Sequence, residues 1–172
     1  FTKWPEAFPI PNQEASTIAK IFVEEIICRF GAPLTFLTDG GSNFRSSLID
    51  NILSLLNIKR SSTTAYHPQC DGLTERFNRT LLERLAFYVN SYHDDWDLHI
   101  PYALFAYRSA QHASTGFSPY FLLFHNEPYL PSDVTLRPTE KQKSQSEIFQ
   151  MIEDNFQHTQ HNIIQAQKRK KR

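Results

Sequence analysis

The chain has 172 residues, 40% of them hydrophobic and 13% aromatic, with fourteen Phe; this composition excludes a disordered chain and suffices for one domain with a core plus an appendage. Eighteen basic residues balance eighteen acidic ones, so overall charge marks neither a nucleic-acid binder nor a membrane-surface binder. No apolar run reaches membrane-spanning length, no secretory leader pattern is visible, and Cys28 and Cys70 lack the spacing of a disulfide framework or zinc site.

Trp4 to Ile10 predicts a strand, confined by Pro5 and Pro9 to a sheet edge or a strand end. Asn12 is a candidate cap for a helix whose stripe is Ala15, Ile18, Ala19, Phe22, Ile26 and Phe30, with Cys28 on its apolar side. Gly31 and Pro33 stop it. Leu34 to Thr38 reads as a buried strand that delivers Asp39 to a glycine turn, Gly40-Gly41. A second helix follows, capped by Ser42 or Asn43 and striped by Leu48, Ile52, Leu55 and Leu56. Ile58 to Thr63 is a short strand, giving βαβαβ order and parallel pairing.

The polar loop Thr64 to Gly72 contains Cys70 and leads into a long helix with Glu75 in its first turn. Leu73, Phe77, Leu81, Leu85 and Tyr88 form its apolar stripe, and Glu75 projects about 160° away from Phe77, beside Asn78, Arg79 and Leu82. Asp94 or Asp95 can cap a further helix with Trp96, Ile100, Leu104 and Tyr107 recurring and Pro101 as a kink; Trp96 and Phe105 read as core aromatics. Ser118-Pro119 opens a short helix, Tyr120 to Phe124. Pro128, Pro131 and Pro138 mark a boundary, which divides the chain into 1–131 and 132–172. The second part is a linker and a polar, thinly amphipathic helix suited to packing on a partner or on sequence outside this chain rather than to forming its own core, ending in the basic run Lys168 to Arg172. Before residue 117 the chain is neutral to slightly acidic: residues 1–60 hold six basic and six acidic residues, and residues 61–116 hold four and six. A like-charge run is ordinarily a solvated end, and DNA contact is its functional alternative.

Asp39 and Glu75 carry the chemistry. A strand-end Asp and a helix-borne Glu can converge at one sheet edge, and converging carboxylates hold Mg²⁺ or Mn²⁺. Against this stand the plain readings, a turn Asp before Gly-Gly and a solvated helix Glu. His158 and His161 form an HxxH without a cysteine pair and read as solvated side chains, not a zinc site.

The segments Thr38-Asp39-Gly40-Gly41-Ser42-Asn43-Phe44, Tyr66-His67-Pro68-Gln69 and Asp71-Gly72-Leu73-Thr74-Glu75-Arg76-Phe77-Asn78-Arg79 resemble the integrase catalytic core of gypsy-type LTR retrotransposons. Phe1-Thr2-Lys3-Trp4-Pro5-Glu6-Ala7 is similar to that family's first strand pair, and Ser114 to Tyr120 to the segment that closes the core. The resemblance implies an α/β, ribonuclease-H-like mixed sheet flanked by helices, with a C-terminal helical extension. It implies a DNA-integration enzyme that performs 3′-end processing and strand transfer with two Mg²⁺ or Mn²⁺ ions. Asp39 and Glu75 would be the catalytic metal ligands, Asn78 a residue facing the metal site and DNA, and Gln69 and Arg79 DNA contacts. His67 would be a hydrogen-bonding loop residue. Homo-oligomerisation and a nuclear location also follow from the resemblance, with no membrane partner.

The family uses three acidic residues, and the first would fall about two positions before Phe1. Glu6 lies well past that strand position. The expectation is therefore an N-terminally truncated core, inactive in strand transfer as this fragment. A non-catalytic, domesticated DNA-binding protein is the alternative from another class. A ribonuclease-H-type nuclease is the third reading, disfavoured by the His-Pro-Gln segment and by Gly116 to Tyr120.

Overall fold

The computed structural model describes residues 1–39, 41–62, 68–130 and 144–170, excepting the side chains of 62, 68–71 and 170. They belong to two compact units, Ala7–Asp97 and Phe1–Glu6 with Leu98–Arg172. The expected boundary at 131/132 lies outside the described residues.

In the unit Ala7–Asp97, helix α1 spans 15–30: an α-helical stretch Ala15–Ile21, a π-helical stretch Phe22–Ile27 and a last turn Cys28–Phe30. Asn12 does not cap it. Its Oδ1 accepts from Glu14 N–H and Thr17 Oγ1 instead, and Glu14 holds the cap position. Gly31, at φ 85°, ends the helix by donating its N–H to Ile27 O. The π turn shifts the helical phase, so Phe30 and Cys28 are exposed although they had been expected on the apolar side.

Strand β1 (Thr35–Thr38) pairs in parallel with β2 (Lys59–Ser62), with Thr35 opposite Lys59 and Thr38 opposite Ser62. Helix α2 (Ser47–Leu55) makes the crossover. A 3₁₀ turn, Ser42–Arg45, precedes α2, so the cap is Ser46, whose Oγ accepts from Ile49 N–H at 3.3 Å, rather than Ser42 or Asn43. The helix ends in a Schellman arrangement. Asn57 at φ 52° donates to Ser54 O, and Ile58 donates to Leu53 O. That turn delivers Leu53 and Ile58 to a core with Ala19, Phe22 and Ile49, against which Ile18, Ile26, Ile27, Phe36 and Ile52 pack.

Two expectations fail here. The buried stripe of α2 is Ile49, Ile52 and Leu53, while Leu48, Leu55 and Leu56 are exposed. An apolar-rich helix offers two adjacent faces, and the partners Ala19, Phe22 and Ile58 select one. Strand β1 is not buried on both sides: Phe36 faces the core, and Leu37 is exposed.

Helix α3 runs over Pro68–Leu85. It starts earlier than expected, because proline is well suited to a first helical position, where its missing N–H costs nothing. Cys70 is therefore helical, and Glu75 lies in the helix interior, not the first turn. Leu73, Phe77, Leu81 and Leu85 do form the inward stripe; Tyr88 lies past the helix end and is exposed.

Residues 4–10, divided between the two units, form no strand: the two prolines remove ladder donors and Lys3 sits at φ 60°. The order is thus βαβ, not βαβαβ, among the described residues. Helix α4 (Trp96–Ser109) continues through Pro101 and buries Ile100, Ala103 and Leu104, while Trp96 and Phe105 are exposed rather than core. Within the unit of Phe1–Glu6 and Leu98–Arg172, Arg108 donates to Pro5 O, pairs with Glu6 at 2.7 Å and lies 4.2 Å over the Trp4 ring. Helix α5 (Pro119–Phe124) starts as expected, with Ser118 Oγ accepting from Phe121 N–H. Helix α6 (Gln145–Lys170) packs within its own unit: Asn162 Nδ2 donates to Thr115 O, His158 meets Phe117 edge-on and Phe156 stacks on Phe1.

Candidate active site

Parallel pairing places the carboxyl ends of β1 and β2 side by side, the end of an α/β sheet where ligands generally bind. Asp39 follows β1 directly and is exposed. Its Oδ1 accepts the Gly41 N–H at 3.0 Å, which orients the carboxylate. A Cβ on Gly41 would meet that oxygen at 3.4 Å, an ordinary van der Waals distance. Five residues after β2, α3 begins, and Glu75 lies about 10 Å along its axis from Pro68. Because the stripe Leu73–Leu85 faces inward, Glu75, Asn78 and Arg79 are all exposed. Both carboxylates belong to the unit Ala7–Asp97. Among the described residues, no group of three or more His, Cys, Asp or Glu side chains forms a metal cage.

The donor chemistry of Asp39 and Glu75 fits a hard cation. Both supply carboxylate oxygen, the donor type that hard cations such as Mg²⁺ or Mn²⁺ take. Glu6 is not a spare ligand. Its carboxylate takes the Trp4 Nε1–H at 2.9 Å and the Arg108 guanidinium at 2.7 Å, largely out of solvent.

Arg79 approaches Glu83 at 3.9 Å with both side chains largely exposed, a contact weak enough to exchange for a phosphate. Arg76 folds back over Gly72: a Cβ there would lie 3.3 Å from its Nη1. The Gln69 side chain and His67 lie outside the described residues. His158 and His161 are exposed on α6.

Sequence reasoning missed Arg60. From β2 its Nη2 donates to Phe44 O at 2.6 Å and its Nη1 meets Asp50 at 3.0 Å, while Nε is buried with no partner among the described residues. An orphaned buried donor costs about 1–3 kcal/mol, so the other two contacts must offset it. The one available signal was an Arg two positions after the core residue Ile58 in a short strand.

No family model matches the chain. It is 35% identical over 130 residues to the retrovirus-related Pol polyprotein from transposon 412 of Drosophila melanogaster, covering 76% of the chain and 10% of that polyprotein. It is 37% identical over 131 residues to the Pol polyprotein of radiation murine leukemia virus (strain Kaplan), covering 76% and 22%. The Gag-Pol polyprotein of woolly monkey sarcoma virus is 35% identical over 140 residues, covering 80% and 8%. The chain thus spans less than a quarter of the length of these relatives. Among solved structures, the catalytic core domain of BIV integrase aligns with a TM-score of 0.60 at 26% identity, over 78% of this chain and 83% of that one. The HTLV-2 integrase core in complex with magnesium, in trimeric form, aligns with a TM-score of 0.52 at 22% identity, over 63% and 69%. A chain of the simian T-cell lymphotropic virus intasome in complex with PP2A regulatory subunit B56 gamma aligns with a TM-score of 0.56 at 22% identity, over 78% and 46%.

The fold is therefore the α/β, ribonuclease-H-like fold of retroviral integrase catalytic cores. The chain belongs to the integrase catalytic-core family of retroviral and retrotransposon Pol polyproteins.

Proposed function

We propose that this chain is the integrase core of a gypsy-type retroelement, acting in 3′-end processing and strand transfer of element DNA. The observation that carries the reading is Asp39 at the carboxyl end of a parallel strand pair, oriented by the Gly41 amide, with Glu75 on the solvent face of α3. These two carboxylates would hold Mg²⁺ or Mn²⁺, as befits a family with a magnesium-bound relative. Bound there, the cation would activate the attacking oxygen and offset the charge developing on phosphate. Asn78 lies one turn from Glu75 and would contact phosphate, while Arg79 and Gln69 would grip the DNA backbone. Relatives that are trimeric or assembled in an intasome support self-association on DNA, and integration into a chromosome requires the nucleus.

The test uses the full protein that carries this core. Asp39→Asn and Glu75→Gln should each lower Mg²⁺-dependent joining of DNA ends by at least about a hundredfold, the scale of several kcal/mol of transition-state stabilisation. Parent-like joining in both variants would reject the assignment.

A further inference from the structure

Resting on the metal-site reading, we propose that Arg60 is a positioning residue for Asp39, acting through the turn that follows β1. The connection is continuous. Asp39 Oδ1 accepts from Gly41 N–H at 3.0 Å, Gly41 O accepts from Phe44 N–H at 3.0 Å, and Phe44 O accepts from Arg60 Nη2 at 2.6 Å. The same guanidinium holds Asp50 of α2 at 3.0 Å. One planar side chain rooted in β2 therefore fixes the 3₁₀ turn against both the sheet and the crossover helix. A lysine, with a single point of charge, cannot span both directions equally well.

Register supplies the second reason. Arg60 lies opposite Phe36 in the parallel ladder, three residues before Asp39 on the neighbouring strand. The anchor and the carboxylate thus sit on adjacent strands, and the intervening chain is short. Phe36 also touches Phe44, with ring centroids 6.1 Å apart, so the turn keeps an apolar anchor when Arg60 is changed. Arg60 variants should consequently fold, and their effect should be on where the Asp39 carboxylate points. Outer residues that orient metal ligands are commonly worth about ten- to a hundredfold in metal affinity.

The experiment uses the 172-residue chain, ¹⁵N-labelled, titrated with Mn²⁺ and read by paramagnetic broadening of the amides of residues 41–44, with hydrogen exchange measured on the same samples. Arg60→Met should weaken the Mn²⁺ midpoint about tenfold. It should also speed exchange at Phe44 about tenfold while leaving Ile49 and Leu53 protected as in the parent. Arg60→Lys should recover part of the affinity. Asp50→Asn, which keeps the Phe44 contact, should stay within about twofold of the parent. An unchanged Mn²⁺ midpoint in Arg60→Met overturns the proposal, as does equal loss of protection at Leu53, which would mark general destabilisation. An Asp39→Asn protein that broadens like the parent would reject the metal reading itself, and this inference with it.

Discussion

Arg108 ties down Trp4, Pro5 and Glu6. It makes an ion pair with Glu6, two bonds to the Pro5 carbonyl and a face contact with Trp4, while its side chain and that of Glu6 are only 16% and 12% exposed. Removing the cation strands a carboxylate that is almost out of water, so Arg108→Ala should cost about 2–4 kcal/mol in urea unfolding. Adding Glu6→Gln should recover part of that loss, since the stranded charge is gone. A loss below about 0.5 kcal/mol would mean that these contacts contribute nothing net. Glu75 is the opposite case. It is exposed on the face of α3 turned from the stripe, so Glu75→Gln should shift stability by no more than about 0.5 kcal/mol. Unfolding of that variant would make Glu75 a structural partner. The positions of Asp39 and Glu75, the proposed site acids, were legible because their neighbours advertise them: an apolar run ending at a glycine turn, and a stripe spaced by three and four. Arg60 was not, because its partners are a backbone carbonyl sixteen positions away and an ordinary helix Asp. Carbonyls leave no mark in sequence.

At the scale of elements, local chemistry decided what could be read. Ser118-Pro119 foretold α5 because a cap and a first-turn proline act within three residues. The face of α2 was misread because six apolar residues in nine or ten positions leave its choice to tertiary partners. The π turn in α1 had no local signature at all. Gly116 shows how a loop can govern a distant helix. It sits at φ 77°, and a Cβ there would lie 2.7 Å from Asn162 Nδ2, the group that donates to Thr115 O. Gly116→Ala should therefore cost about 1–3 kcal/mol through backbone strain and the displaced contact, with faster hydrogen exchange around residues 155–162. Normal protection of α6 in that variant would show that Asn162 is not what seats it. Thr159 is fully buried on the same helix, and its hydroxyl lacks a partner among the described residues. Thr159→Val should then be neutral or stabilising by about 1 kcal/mol, read from the unfolding midpoint. A loss of that size would reveal a hydrogen bond to the hydroxyl.

Across the whole molecule, neutrality conceals a division. The unit Ala7–Asp97, which carries Asp39 and Glu75, holds eight basic and eleven acidic residues, a net of −3; the other unit holds ten and seven, a net of +3. Carboxylates in a negative unit repel phosphate until cations neutralise them, so without divalent ions any DNA affinity must come from outside the proposed site. Five of the ten cations in the positive unit are Lys168 to Arg172. Lys168 and Arg169 are exposed on the last turn of α6, and the run contributes no apolar side chain to a core. If four or five of these residues engage phosphates, non-specific binding without Mg²⁺ should follow a slope of roughly −4 in log K against log salt, through counterion release. Replacing the five with alanine should flatten that slope towards zero and leave the unfolding midpoint unchanged. Adding Mg²⁺ should then restore a shallower, Asp39-dependent component to the truncated-charge variant, because only neutralised carboxylates can admit a phosphate. Unchanged affinity and an unchanged slope after the replacement would place the DNA contacts on α3 instead, where Arg76 and Arg79 are the exposed cations beside Glu75.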